Sequence, residues 1–388
     1  MCNIIIEKEA ILNLKSFLIK NYENKSVAFV TKKSILFKNK QFLQSLKNMP
    51  LRIEVYFVED FAKCDTLNTN LVLKMVQNSE LVVGFGDDEL VDIVKYVSMK
   101  LNIKYVLLLN MVNCTNYISK WSNFVCADGV VEYKECNLPE CVYVDLNIVQ
   151  NTPLRYVANA FAYVLSTNII FVKMLYGEYD ENKIKRLNDI LKSINMFTSQ
   201  NIITSLGKTK LIKLVLELQL ELSNLDIVNP MYKLCSIYNK FYNQNSTLLN
   251  GEVELIFCFL ILHLEESIIT NKLCLSPINI NKRISRLKTL FNKEDYVSNM
   301  VNNLNGENVE NTLNDIAIRK DFFLKYVTIA LNRVGNNFAM LKRIYIDKGV
   351  IFNNLVMEQF YNTLSLACDL IDEKFLSVFR AVGLMDNI

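Results

Sequence analysis

The stretch Glu80–Lys95, ELVVGFGDDELVDIVK, decides the fold of this 388-residue chain. An apolar run, Leu81–Val83, leads into the glycine pair Gly84 and Gly86, and apolar residues then recur at helical spacing from Leu90. This order predicts a strand, a glycine turn and a helix start. That geometry holds a phosphate group on a helix N-terminus in many nucleotide-binding proteins.

Three acidic residues, Asp87, Asp88 and Glu89, stand in the predicted turn where a phosphate would lie. Carboxylates complement the positive end of the helix dipole, so capping of the helix is a sufficient structural reason for them. The same charges would repel a pyrophosphate. The segment is therefore typical of a nucleotide-binding loop whose anion site is filled with negative charge, and we expect no tight binding of a dinucleotide.

Composition narrows the class of protein. A hydrophobic content of 51% is ample for a core, and a net charge of +3 argues against nucleic acid as a partner. The N-terminal residues lack the pattern of a signal peptide, and we expect no membrane span, because no run of 18 apolar residues occurs. A cytoplasmic protein is the expectation.

The ten cysteines include no CxxC pair. A zinc site formed by Cys126, Cys136 and Cys141 with Cys114 is conceivable, but buried free thiols in a reducing compartment are the favoured interpretation. The single histidine, His263, lies in an apolar stretch and is interpreted as a core or helix-surface residue rather than a ligand.

Strand and helix patterns divide the chain in two. Strands predicted at 26–30, 52–58, 80–83 and 104–109 alternate with helices at 34–48, 69–78 and 88–101, which indicates a Rossmann-like parallel sheet. Asp128 and Gly129 predict a hairpin turn, and a further strand is expected at 141–146.

After Pro153 the strand patterns stop. Helices are predicted at 155–174, 180–194, 211–222, 231–242, 252–266 and 321–331, with loops in 272–306. We therefore predict an α/β nucleotide-binding-like domain over 1–152, an all-helical domain over 153–388, and a cleft between the two.

Several motifs resemble one family. Gly84, Gly86, Asp92 and Lys95 match the pattern Gly-x-Gly-Gly-Gly-Ser/Thr followed by x-x-Asp-x-x-Lys, and later segments fit at 102–105, 144–148 and 153–155. This order resembles the sn-glycerol-1-phosphate dehydrogenase branch of the dehydroquinate synthase-like, iron-containing alcohol dehydrogenase superfamily. The resemblance implies a dehydroquinate synthase-like fold, a dimer, NAD(P) as cofactor and a divalent metal such as zinc, iron or nickel.

The chain departs from that family at its functional positions. Tyr163, Lys233 and Asn250 stand where the family has its metal-binding aspartate and two histidines, and we expect the three to lie together. In the nucleotide loop after the fourth predicted strand the family's proline, threonine, serine and aspartate are changed, although Asn110 could still donate a hydrogen bond. A protonated lysine offers no lone pair, and a chain with one histidine cannot form a two-histidine site. We predict neither metal nor cofactor.

These departures favour a non-catalytic homologue, a pseudoenzyme that acts as a binding or scaffolding subunit. Its partner would be a protein, in a homodimer or in a heteromer with an active relative. One alternative is a metal-independent enzyme that uses the interdomain cleft, with Lys233 as a base or phosphate ligand beside Tyr163 and Asn250. Another is a divergent NAD(P)-dependent glycerol-1-phosphate or polyol dehydrogenase.

Overall fold

The computed structural model describes residues 2–39, 49–112, 116–177, 180–242, 248–271, 279–291, 309–346 and 357–383, together with residues 44 and 275. By packing, the chain divides into two compact units. The first comprises residues 1–127, 131–161 and 193–228, and the second comprises residues 128–130, 162–192 and 229–388.

A six-stranded parallel sheet forms the centre of the first unit. Its strands are β1 (Asn3–Glu7), β2 (Ser26–Lys32), β3 (Arg52–Val58), β4 (Leu81–Gly86), β5 (Lys104–Leu109) and β8 (Cys141–Asp145). They lie in the order β1-β8-β5-β4-β2-β3 and every neighbouring pair is parallel. A separate antiparallel hairpin consists of β6 (Trp121–Val125) and β7 (Val131–Glu135). The predicted α/β architecture is confirmed.

Helices account for the rest of the first unit. They are α1 (Ala10–Tyr22), α2 (Lys33–Lys38), α3 (Thr66–Val76), α4 (Asp88–Leu101), α5 (Leu146–Val149), the first part of α6 (Leu154–Ser166), a 3₁₀ turn (Ser193–Met196) and α9 (Ser205–Asn224). Apolar side chains of α1 and α2 pack with one face of the sheet around Phe29 and Phe85, whose rings lie 6.2 Å apart.

The second unit is helical throughout its described part. Its helices are the end of α6, α7 (Ile169–Tyr176), α8 (Glu181–Lys192), α10 (Met231–Phe241), α11 (Asn250–Thr270), α12 (Ile280–Phe291), α13 (Val309–Ile318), α14 (Lys320–Ile346), α15 (Met357–Leu370) and α16 (Lys374–Ala381). Helix α11 is buried along most of its length. Phe257 on α11 and Tyr238 on α10 both pack against the ring of Phe360, at 5.1 and 4.6 Å between centroids.

The glycine pair lies inside a strand, which corrects the predicted turn. Gly84 pairs with Val30 on β2 and with Leu107 on β5, so the central strand continues through Gly86. A side chain at Gly84 would approach the Leu107 and Val94 side chains at 3.0 and 3.1 Å. The glycine therefore serves the close packing of strand and helix, and the turn falls on Asp87.

Other predicted elements also change. The helix predicted at 34–48 is α2, which ends at Lys38, and most of residues 40–48 lie outside the described residues. The region 272–306, predicted as loops, contains the amphipathic helix α12. Sequence patterns missed β1, an edge strand of five residues whose apolar run, Ile4–Ile6, is too short to stand out.

Strand patterning ends where it was expected to end. β8 finishes at Asp145, and no described residue after it lies in a strand. The compact units follow a different division from the predicted boundary at Thr152, because α9 returns to the first unit. Gln219 on α9 accepts the Ile118 N–H at 3.0 Å, and the Ser223 hydroxyl donates to the Ile118 carbonyl at 2.8 Å.

One helical stretch, Leu154–Tyr176, is long and apolar enough to cross a membrane by length and composition. Of the residues in its most apolar window, 94% are buried inside the protein. Among the described residues it is the one such stretch, and its burial is that of a core helix in a soluble protein.

A topological switch point lies between β2 and β4. From β2 the chain continues to β3 at one edge of the sheet, whereas from β4 it continues to β5 on the opposite side. In open parallel sheets, ligands bind at the carboxyl ends of the strands where the winding reverses in this way. A ligand site of the first unit is therefore expected at the carboxyl ends of β2 and β4.

Gly207 near the start of α9 permits a close approach that no other residue allows. A Cβ there would lie 2.0 Å from the Asn201 carbonyl oxygen, which belongs to the backbone and cannot swing aside. We expect Gly207→Ala to lower the free energy of unfolding by about 2 kcal/mol or more, by overpacking. Chemical denaturation measures this.

Gly335 inside α14 provides the matched control, because nothing lies within 4 Å of its missing side chain. Gly335→Ala should raise the free energy of unfolding by roughly 0.5–1 kcal/mol through helix propensity. Equal effects of the two alanines would contradict the packing around Asn201.

Candidate functional site

An ion pair spans the switch point of the parallel sheet. Lys32 ends β2 and its side chain is only 3% exposed, and its Nζ lies 2.7 Å from Oδ2 of Asp87. Asp87 directly follows β4 and caps α4, since its Oδ1 accepts the Leu90 N–H at 3.2 Å. The Lys32 ammonium also donates to the Asp60 carbonyl just beyond β3, at 3.0 Å. One lysine thus links the ends of three strands.

Both carboxylate oxygens of Asp87 accept hydrogen bonds from groups that could otherwise bind the oxygens of a phosphate. A phosphate at this place would accept backbone N–H groups of the helix start and pair with a nearby cation. Here one oxygen takes the helix N–H and the other takes the ammonium. The geometry is that of an anion site occupied by a side chain of the same protein.

Glu89 places a half-buried carboxyl beside this pair. Burial raises the pKa of its carboxyl, and the neighbouring charge of Asp87 raises it further. The positive charge of Lys63 and a hydrogen bond from the Cys64 backbone act in the opposite direction. A second anion near these carboxylates would add to the repulsion that already shifts the pKa of Glu89.

Asn110, the remaining residue of the predicted cofactor loop, lies at the same end of the sheet. Leu109 pairs with Gly86 in register, so Asn110 and Asp87 follow directly after paired residues on neighbouring strands. The Tyr117 hydroxyl donates to the Gly86 carbonyl at 2.6 Å. The predicted loop residues Gly84, Gly86, Asp87, Asp88, Glu89 and Asn110 thus lie on or directly after β4 and β5. Their role in cofactor binding stays a prediction.

A buried polar cluster lies along α4. Asp92 and Lys95 are 3% and 0% exposed. The Asn116 amide donates to Asp92, and Lys95 donates to the carbonyls of Asn116 and Trp121. Burial lowers the pKa of Lys95 to about 8, against the opposing effect of Asp92. These two residues hold the 116–121 segment.

Tyr163, the first predicted metal-site position, is a core residue of α6. Its side chain is 2% exposed, and its carbonyl accepts the Ser166 hydroxyl at 2.8 Å. Ser166 also donates to the buried carboxylate of Glu254 on α11, at 3.0 Å. The end of α6 and the helix α11 are thereby joined.

Lys233 and Asn250, the other two positions, have different surroundings. The Asn250 side chain is exposed and accepts from Asn239 on α10 at 3.1 Å. Lys233 is half-buried on α10, and its charge opposes the burial that raises the pKa of Glu373. Lys173 pairs with that same carboxylate at 2.6 Å. The expectation that Tyr163, Lys233 and Asn250 share one site stays a prediction.

Helix α11 begins differently from the expected start. Asn250 is its first residue and Leu249 precedes it as the cap, with the Leu249 N–H donating to the Glu252 carboxylate at 3.0 Å. In turn the Glu252 N–H donates to the Leu249 carbonyl at 3.0 Å, so this N–H of the first turn is satisfied without a side-chain oxygen at the capping position. Asn250 is left to contact α10.

The side chains at the predicted metal-site positions do not fit the zinc, iron or nickel that the family resemblance implies. His263 is 49% exposed on α11, where it packs edge-to-face on Phe259 and lies 3.6 Å from Glu266. It is the chain's one histidine, and Lys233 is no ligand when protonated. Within the described part of the chain, no three metal-binding side chains form a group.

The cysteines considered for zinc are thiols in the structure. Cys136 and Cys141 are buried and Cys126 is half-buried, all three free. Burial raises the pKa of Cys136 to about 11 and also raises that of Cys141, so thiolate ligands are disfavoured. Cys114 lies outside the described residues.

Sequence reasoning missed Lys32, the centre of the first-unit arrangement. One signal could have found it: Lys32 comes directly after the buried run Val27–Val30, at the same end of the sheet as Asp87. It also missed Asn116, which lies in a stretch without periodicity. Nothing in that stretch indicated an amide aimed at Asp92.

Helix α11 carries a buried acid that the sequence did not single out. Glu265 is 0% exposed, and the Tyr176 hydroxyl donates to its Oε2 at 2.8 Å. Burial raises the pKa of Glu265 to about 8, which the hydrogen bond from Tyr176 only partly offsets. The carboxyl is therefore largely protonated in the folded protein at neutral pH.

Comparison with protein families gives one match. Residues 5–153 match the family described as iron-containing alcohol dehydrogenase. This region includes the parallel sheet and the Lys32–Asp87 pair. A search of the curated proteins gives no significant match.

Solved structures extend the likeness to nearly the whole chain. The alcohol dehydrogenase of a halo-thermophilic archaeon from a Red Sea brine pool matches with a TM-score of 0.62 and 12% identity, covering 98% of this chain and 93% of that chain. The NADH-dependent butanol dehydrogenase A of Thermotoga maritima matches at 0.60 and 12%, covering 99% and 96%. A glycerol dehydrogenase from Schizosaccharomyces pombe matches at 0.58 and 10%, covering 90% and 92%. At these identities the likeness shows the fold alone.

Glu265 makes the stability of the chain depend on pH. Its pKa is about 8 when folded and near its ordinary value of 4.5 when unfolded, so between these values the folded protein holds a proton that the unfolded chain has lost. The free energy of unfolding should fall as pH rises through this window, by up to about 1.4 kcal/mol per pH unit. Glu265→Gln keeps an acceptor for Tyr176 but does not titrate. The difference in the free energy of unfolding between this variant and the unsubstituted chain should therefore shift in favour of the variant as pH rises from 5.5 to 8.

The neighbouring Glu266, with 40% of its side chain exposed, is the control. Glu266→Gln should leave the pH dependence unchanged. Denaturant melts at several pH values measure both variants, and a stability difference for Glu265→Gln that does not change with pH would contradict the burial argument.

Proposed function

We propose that the chain is a non-catalytic homologue in the superfamily of iron-containing alcohol dehydrogenases and glycerol dehydrogenases. The match of residues 5–153 and the fold support its place in that superfamily. It acts as a binding or scaffolding subunit toward a protein partner, in a homodimer or in a heteromer with an active relative. The motif pattern around Gly84, Asp92 and Lys95 supports descent from the glycerol-1-phosphate dehydrogenase branch.

The Lys32–Asp87 ion pair is the observation that carries this proposal. It lies at the switch point, where a dinucleotide pyrophosphate would need the helix start and a cation. A pyrophosphate would have to displace the Asp87 carboxylate from a buried ammonium and then lie beside Glu89 as well. Each close like-charge contact near a surface costs on the order of 1 kcal/mol or more.

The residues at the former ligand positions support the same proposal independently. Tyr163, Lys233 and Asn250 replace one carboxylate and two imidazoles, and a protonated lysine repels a divalent ion. His263 is engaged on the surface of α11 with Phe259 and Glu266. Loss of the anion site and loss of the ligand set are separate changes, and both remove steps of a metal-assisted, nicotinamide-linked oxidation.

Calorimetric titration of NADH and NADPH into the full chain tests the proposal. We expect no binding tighter than roughly 100 μM, because the anion position is already filled by Asp87. Zinc added at one equivalent, with glycerol 1-phosphate and NAD(P)⁺, should give no dehydrogenase turnover. Micromolar affinity for either nucleotide, or metal-dependent turnover, would contradict the proposal.

A charge-removing variant tests the cause. Asp87→Gly, Asp88→Gly and Glu89→Ser together restore the family pattern and release Lys32, and we expect NADH affinity at least about tenfold above that of the unsubstituted chain.

A control variant removes the same net charge elsewhere, by glutamine at the exposed positions Glu9, Glu23 and Glu80. It should leave the nucleotide affinity unchanged. Equal gains in the two variants would mean that overall charge, and not the filled anion position, sets the affinity.

A further inference from the structure

We infer that the second unit binds a small organic anion with an apolar body, in a cavity of about 620 Å³ formed by α10, α12 and α15. Small-molecule sites in proteins typically have volumes of about 300–1,000 Å³. This site goes beyond the proposed function, because the nucleotide position of the parallel sheet is in the first unit and the cavity is in the second.

The charge of the cavity wall points to an anion. Lys282 and Arg286 both line it, and because they are four residues apart on α12 they lie on the same face of that helix. The described residues that line the cavity include no carboxylate. The described side chains of the wall therefore bring two positive charges to a ligand that enters.

Arg286 is held in place by neutral groups. Its Nη1 donates to the Ser365 hydroxyl at 3.0 Å and its Nη2 to the Asn362 carbonyl at 3.3 Å, both on α15. The buried carboxylate of Asp369 on the same helix pairs with Arg283 at 2.6 Å, and the charge of Arg286 also acts on it, helping to offset the burial that raises its pKa. A guanidinium carries five N–H donors in a rigid plane, so Arg286 keeps donors for a carboxylate or phosphate after making both bonds.

The rest of the wall suits an apolar body. Phe241, Tyr242, Leu290 and Leu366 line the cavity, and the Phe241 ring is fixed edge-to-face against Phe291 at 5.7 Å between centroids. Apolar walls with a few convergent polar groups are the usual composition of a ligand site, since burial of the body supplies affinity and the polar groups fix orientation. The shared chemistry is thus an aromatic or aliphatic group that bears a carboxylate or a phosphate.

Titration calorimetry on the full chain tests the site with defined probes. 1-Naphthyl phosphate and 1-naphthoate present the two anionic groups on one apolar body, and neutral 1-naphthylmethanol lacks the charge. We expect at least one anion to bind with a stoichiometry of one, and the neutral probe to bind at least about tenfold more weakly. The better of the two anions identifies the class of charged group. Binding of the neutral probe as tightly as the anions, or no binding of either anion, would overturn the inference.

Two lysines on α12 form a matched pair of variants. Lys282 lines the cavity, whereas Lys288 is exposed on the same helix and does not. Lys282→Gln should weaken binding of the preferred anion by about fivefold or more, and Lys288→Gln by less than about twofold, although the net charge changes equally. Equal effects of the two would overturn the inference.

Arg286→Gln should weaken the same anion by about tenfold or more. Because Arg286 also joins α12 to α15, the melting temperature of this variant is measured alongside. Should it fail to fold, the Lys282 and Lys288 pair decides the question alone, since neither of these side chains joins helices.

Discussion

The Lys32 ammonium is buried at the end of the central strand β2 and requires a carboxylate partner. This requirement determines the arrangement of side chains at the carboxyl ends of β2 and β4. Lys32 is 3% exposed, and an unpaired charge in such a place costs several kcal/mol. Asp87 meets the need while it also caps α4. The start of α4 is thereby tied to the ends of β2 and β3 through Lys32.

The scaffold of the chain is that of a known group of solved structures. The chain keeps a parallel sheet with a switch point and a helical unit, as in the alcohol and glycerol dehydrogenase structures that it resembles. Polar groups inside this scaffold serve packing: Asp92 and Lys95 hold the 116–121 segment, and Glu265 accepts a tyrosine hydroxyl within the helical unit. A shared fold does not establish a shared function, because sites depend on a few side chains, whereas the fold depends on the pattern of many.

Much of the fold could be predicted from the sequence, since the apolar runs of β2 to β5 and the periodicity of α4 are local signals. The sequence predicts a turn at the glycine pair because glycine is common in turns. In the structure Gly84 is in a strand, where the side chains of Leu107 and Val94 leave little room for a larger residue. Likewise the acids at 87–89 were visible in the sequence, but the lysine that pairs with Asp87 was not, because 55 residues separate Lys32 from it. Burial and ion pairs between strands depend on the tertiary structure, so the pattern of residues along the sequence does not predict them.

A double-mutant cycle on Lys32→Met and Asp87→Asn tests the central claim most directly, because Asn preserves the helix cap and removes only the charge. The account predicts a coupling of at least about 1 kcal/mol between the two positions. Asp65, which caps α3 through the Asn68 N–H at 2.8 Å, gives the control: Lys32→Met and Asp65→Asn should be additive within about 0.5 kcal/mol. A coupling for Lys32 and Asp87 no larger than that control would contradict the claim that this ion pair closes the anion site.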